Sequence, residues 1–140
     1  MNIAKQLCTA AVFSLLSAAP TLAECTFPKK PADPPSGAKL AKRDVEAAKQ
    51  GSTEKTGLKE MKAALDTFKQ YDADVKAYSD CLNVETEAML NALGDKATAS
   101  DIKRIKDKQD LKFQVALDEE LKVSAAYTAE RQAYLAGAPK

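Results

Sequence analysis

Two cysteines are the residues in this chain with a covalent chemistry open to them. Three are present, Cys8, Cys25 and Cys81. Cys8 falls in a segment that reads as a removable leader, which leaves Cys25 and Cys81 as an even pair. In an exported chain an even pair implies one disulfide. The two are not spaced as C-x-x-C, so redox catalysis is not indicated. Closing the chain between residues 25 and 81 is worth about 4 kcal/mol on the chain-entropy model. There is no histidine anywhere. That removes the commonest general base and metal ligand, and it rules out Ser–His and Cys–His nucleophile pairs. The sequence is read as a non-enzyme with no catalytic residue, no metal and no cofactor.

The remaining charged and aromatic clusters have mundane readings. Asp72, Asp74, Asp80, Glu85 and Glu87 surround one helical stretch without a glycine among them. Calcium needs six to eight oxygens converging on a loop, so a solvated acidic face is the better reading. Lys103, Arg104, Lys106, Lys108 and Lys112 form a basic block, but Asp101, Asp107 and Asp110 are interleaved with it. No nucleic-acid partner is expected from that pattern or from a formal net charge of +1. Tyr71 and Tyr78, like Tyr127 and Tyr134, stand seven residues apart. That is the spacing of a packed helical seam whose hydroxyls reach the edge.

Residues 1–23 read as a signal peptide. Lys5 is basic, Leu7 to Ala19 is apolar, Pro20 breaks the run, and Thr21-Leu22-Ala23 suits signal peptidase. The apolar run is short of the ~20 residues needed to span a membrane. Cleavage would leave Glu24 first and a mature chain with equal acidic and basic counts. Glu24 before Cys25 also argues against a lipobox, which wants Gly or Ala there. The chain is therefore expected to be exported, periplasmic or secreted.

The elements that position these residues follow from periodicity. Residues 24–37 hold Pro28, Pro31, Pro34 and Pro35 and read as an extended Pro-rich arm. The arm and the helix below cover similar lengths, so the arm can lie antiparallel along that helix with Phe27 as its anchor. A short helix is expected over 38–50, with Gly51 as its stop. Ser52 to Gly57 reads as a connector, with Thr56 as an N-cap. A long helix follows over 57–93. Its first heptad row is Met61, Phe68, Val75, Leu82 and Met89, and its second is Ala64, Tyr71, Tyr78, Glu85 and Ala92. Gly94 ends it, Thr98 to Asp101 forms a capping box, and a second long helix runs over 99–135. Its expected apolar face uses Ile102, Ile105, Phe113, Ala116, Leu117, Val123, Tyr127 and Tyr134, with Gln109 as a polar step. Residues 38–140 thus make one helical domain. The tight turn predicts antiparallel packing, and the acidic and basic blocks are expected to pair between the helices.

Cys25, Pro28, Pro31, Pro34 and Gly37, followed by Met61, Tyr71, Tyr78 and the pair Cys81-Leu82, resemble small uncharacterised exported proteins of Gram-negative bacteria. Those have a Cys–Pro-rich arm and a long helix carrying a Tyr and a Cys-Leu pair. The resemblance covers about half the chain and implies architecture and export only.

The fold class expected is all-α: an antiparallel two-long-helix hairpin, coiled-coil-like, with a Pro-rich arm and a short extra helix. Such a hairpin buries little by itself, so self-association or a protein partner is expected. The interaction seam is assigned to Met61, Phe68, Tyr71, Val75, Tyr78, Leu82, Met89, Phe113, Leu117, Tyr127 and Tyr134. The leading function is a non-enzymatic interaction or structural module of the cell envelope. The alternatives are a periplasmic holdase-like chaperone and a binder of anionic envelope lipid or polysaccharide, a membrane surface being the less favoured partner.

Overall fold

The computed structural model describes residues 24–139. The expected signal segment, 1–23, lies outside the described residues. Every regular element among those described is helical. Helix α1 spans Gly37–Lys49, α2 spans Thr56–Leu93, a single 3-10 turn covers Gly94–Lys96, and α3 spans Ala99–Gly137. Residues 24–36 form no regular element.

Helix α2 runs 38 residues, about 57 Å at 1.5 Å per residue. No proline interrupts it, and glycine stands only next to its first residue. Its buried positions are Met61, Tyr71, Val75, Tyr78, Leu82 and Glu85, besides Gly57, a 4-3 spacing that makes one stripe. Helix α3 buries Gln109, Ala116, Val123, Tyr127 and Tyr134. Gln109, Ala116 and Val123 recur at seven-residue intervals. Tyr127 and Tyr134 make the adjoining row, which runs back through Glu120 to Phe113. Its start is fixed by a reciprocal cap: the Asp101 N–H donates to Thr98 Oγ1, and the Asp101 carboxylate accepts from the Thr98 N–H.

The core falls into two clusters. One joins Tyr71, Val75, Tyr78 and Leu82 of α2 to Ala116, Val123 and Tyr127 of α3, with Cys25, Ala64 and Phe68 packed against it. The other, at the far end, gathers Leu40 and Ala41 of α1 with Met61 and Tyr134. Short α1 therefore thickens one end of the molecule, while the other end has α2 and α3 alone. The close approach of α1 depends on two glycines. A Cβ on Gly37 would run into the backbone carbonyl of Glu130 and stand 2.7 Å from the Tyr134 nitrogen. A Cβ on Gly57 would stand 2.5 Å from the Leu40 carbonyl oxygen.

The expected pairing of acidic and basic blocks is found at one place, Lys112 with Glu85, and the other block charges pair locally or not at all among the described residues. Lys103 pairs with Asp107 and Arg104 with Asp101, both within α3, and Lys69 pairs with Asp66 within α2. Glu119 meets Lys30 and Lys122. Among the described residues the one ion pair between α2 and α3 is Lys112–Glu85. The reason is geometric. Most of these charges lie on the outer surfaces of their helices, where a neighbour three or four residues away is nearer than the other helix.

Candidate functional site

Two polar knots and one groove make up the chemistry of this molecule. The first knot is Asp44 of α1, 2% exposed. Its carboxylate accepts from the Gly57 N–H at 2.8 Å, the Leu58 N–H at 3.0 Å and the Tyr134 hydroxyl at 2.9 Å. The first two are among the N–H groups that a helix start leaves unpaired. Asp44 thus caps α2 from another helix, and the expected cap by Thr56 is replaced: Lys55 holds the N-cap position and no local side chain caps it. Burial pushes the Asp44 carboxyl up. The Gly57 N–H, the Tyr134 hydroxyl, the Leu58 N–H and the neighbouring Arg43 outweigh that and hold it below its ordinary value. Burial, the hydrogen bond to Asp44 and that carboxylate's charge push the Tyr134 hydroxyl up to about 12. All three helices therefore meet in one network at Asp44, and a separate bond ties α1 to α3, from the Gly37 N–H to Glu130 Oε2 at 2.7 Å.

The second knot lies nearer the turn. Glu85, the one charged member of the α2 stripe, is 6% exposed. It accepts from Gln109 Nε2 at 3.0 Å and Lys112 Nζ at 3.1 Å. Gln109 Oε1 and the Tyr71 hydroxyl are buried without a hydrogen-bond partner among the described residues. Burial first, then the Glu119 and Glu120 charges, push the Tyr71 hydroxyl up.

Cys25 and Cys81 stand at disulfide distance, with Cα atoms 5.8 Å apart. From there the 24–36 segment follows one side of the two long helices. The Phe27 ring meets Tyr78 edge-on at 5.3 Å, and Ala32 accepts a hydrogen bond from the Tyr127 hydroxyl at 2.8 Å.

On the other side of the seam is an open groove. One cavity of about 280 Å³ is lined by Asp72, Val75, Lys76, Ser79, Phe113, Leu117 and Glu120. Another of about 480 Å³ is lined by Leu82, Asn83, Thr86, Lys106, Gln109, Asp110 and Phe113. Phe113 borders both, so they form one trough. At about 100° per residue, its α2 residues Asp72, Lys76, Ser79 and Asn83 fall on the flank opposite Asp74, Ala77 and Cys81, which border the 24–36 segment. Phe113 is 42% and Leu117 36% exposed, with Leu121 at 58% continuing the row. The neighbouring Asp72 carboxyl, as a hydrogen-bond partner for the protonated form, then burial and the Asp72 charge push the Glu120 carboxyl up.

The seam residues divide accordingly. Met61, Tyr71, Val75, Tyr78, Leu82, Tyr127 and Tyr134 are buried within the chain's own core. Phe68 is half-buried against the Tyr127 ring, with centroids 5.5 Å apart, and Met89 is half-buried near Gln109. Phe113 and Leu117 face outward. Asp44 went unnoticed in the sequence because it is one aspartate in an alternating charged stretch. Among the described residues no group of three or more Cys, Asp or Glu side chains converges as a metal site. No helix of the described residues is long and apolar enough to cross a membrane.

Comparisons of the chain with protein-family models, with curated proteins and with solved structures find no match.

Proposed function

We propose that this chain is an exported, non-enzymatic interaction module of the cell envelope, and that the trough around Phe113 is its binding face. In this reading α2 and α3 form an antiparallel hairpin. Paired positions support it: Glu85 meets Gln109, Phe68 meets Tyr127, and Met61 shares a cluster with Tyr134, so numbers fall on one helix as they rise on the other. The 24–36 segment is then a Pro-rich arm running from Cys81 toward Gly37, a path supported by Phe27 on Tyr78 and Ala32 on Tyr127. A lasting Cys25–Cys81 disulfide fits an oxidising compartment and a leader removed before Glu24.

The observation that carries the binding role is the exposed row Phe113, Leu117 and Leu121 beside an open trough, in a chain that has otherwise turned its large seam side chains inward. Contiguous exposed apolar surface marks interaction sites. The test is fluorescence of an anilinonaphthalene-sulfonate probe on the folded, oxidised protein, diluted until it sediments as a monomer. Binding should be lost in Phe113→Asp while helical circular dichroism is kept. Equal probe binding by both proteins would refute the reading. The holdase alternative draws on the same exposed row, and it requires suppression of client aggregation that disappears with the same substitution.

A further inference from the structure

We propose that the occupant of the Phe113 trough is the same trough of a second copy of this chain, packed antiparallel about a two-fold axis near Phe113. This rests on the reading of the trough as a binding face and names its partner. The argument is charge. One end of the trough carries Asp72 and Glu120, carboxyl against carboxyl, and neither makes an ion pair among the described residues. The other end carries Lys106, which likewise makes no ion pair among the described residues. Phe113 lies midway between Lys106 and Glu120, seven residues from each.

A two-fold at that point makes the face self-complementary. It sets Lys106 of each copy against the Asp72 and Glu120 end of the other, and Asp110 against Lys76. The apolar row is then covered by its own counterpart, as an isologous interface requires. Each end is mixed, Lys76 lining it with Asp72 and Glu120 and Asp110 lining it with Lys106, and the two-fold sets each of these charges against an opposite one at the other end. From Lys106 to Leu121 the row runs about 22 Å of helix, long enough for several side chains from each copy to interleave.

The test is sedimentation of the oxidised protein from low micromolar to millimolar concentration. A monomer–dimer equilibrium is expected. Lys106→Glu and Glu120→Lys should each raise the dissociation constant about 100-fold, roughly tenfold for each of two symmetry-related contacts. Mixing these two variants should restore dimerisation as a heterodimer, because each then faces the opposite sign. Phe113→Asp should abolish the dimer, and the charge variants, at exposed Lys106 and half-buried Glu120, keep the test sound if that one misfolds. A dimer indifferent to both charge variants, or no recovery on mixing, overturns the proposal. A protein that stays monomeric yet binds the fluorescent probe at Phe113 overturns the second copy and leaves the binding face standing. A monomer without probe binding overturns both.

Discussion

Replacing Asp44 by alanine should loosen all three helices at once. The carboxylate does two jobs. It caps α2 through the Gly57 and Leu58 N–H groups, and it accepts the buried Tyr134 hydroxyl. Losing a helix cap costs about 1 kcal/mol. Leaving a buried hydroxyl without its acceptor costs a further ~1–3 kcal/mol. The total is about 3 kcal/mol, against a typical stability of roughly 5–15 kcal/mol. At about 4 °C per kcal/mol for a domain of this size, the melting temperature should fall by roughly 12 °C. Thermal unfolding followed by far-ultraviolet circular dichroism reads this directly. Tyr134→Phe alone should cost only about 1 kcal/mol, since Asp44 keeps both N–H donors. The double variant should be no less stable than Asp44→Ala, because the second change removes the stranded hydroxyl. A melting temperature for Asp44→Ala within about 2 °C of the parent, or strictly additive losses in the cycle, would refute the reasoning.

The same network should respond to pH at both extremes. Asp44 binds its proton more weakly folded than unfolded, so its contribution is present above the ordinary aspartate value of about 3.9 and is lost as pH falls through the lower folded value. Urea midpoints should drop there, and less so in Asp44→Asn. Tyr134 is raised to about 12, so its contribution is intact below the ordinary tyrosine value of about 10 and is lost as pH climbs toward the folded one; titration at 295 nm should show three tyrosines lagging, Tyr71, Tyr127 and, furthest, Tyr134. Gly37→Ala should cost at least ~1–3 kcal/mol because the obstructing atoms belong to the α3 backbone and cannot rotate aside, measurable as a shifted denaturant midpoint. Replacing both Cys25 and Cys81 by serine should cost up to about 4 kcal/mol from the loop that is no longer closed, with far-ultraviolet helicity retained at low temperature.

What the sequence disclosed and what it hid differ by the range of the interactions. The α2 stripe was legible because Met61, Tyr71, Val75, Tyr78 and Leu82 repeat on one helix, and periodicity needs no knowledge of the partner. The Thr98–Asp101 cap was legible for the same reason, its partners being three residues apart. Asp44 was not. Its partners are 13, 14 and 90 residues away, and nothing local marks an aspartate on a short helix as the cap of another. In the sequence the glycines at 37 and 57 mark only the ends of the arm and of the connector. Their use is the passage of one helix against another, which depends on where α3 ends up.

The two rows of α3 show a subtler limit. The apolar face anticipated for α3 put Phe113 and Leu117 beside Ala116 and Val123 as one surface. The buried positions instead are Gln109, Ala116 and Val123 on one row and Tyr127 and Tyr134 on the next. Gln109 is buried, while Phe113, at the outer end of the Tyr127 and Tyr134 row, and Leu117 are left at the lip. Gln109 stays inside because Glu85 lies opposite it and each supplies the other's hydrogen bond. Removing Glu85 would strand the buried Gln109 amide and release Lys112, so this polar group favours one pairing of α3 residues with α2 residues. That register then decides which side chains are left outside. A shift of α3 by one turn would bring Phe113 under the seam and set Gln109 away from Glu85. The exposed trough is therefore a consequence of the Glu85–Gln109 pairing. Glu85→Leu with Gln109→Leu removes the device that holds the register, and the row containing Phe113 is where the change should first be seen, as a loss of probe binding without a loss of helix.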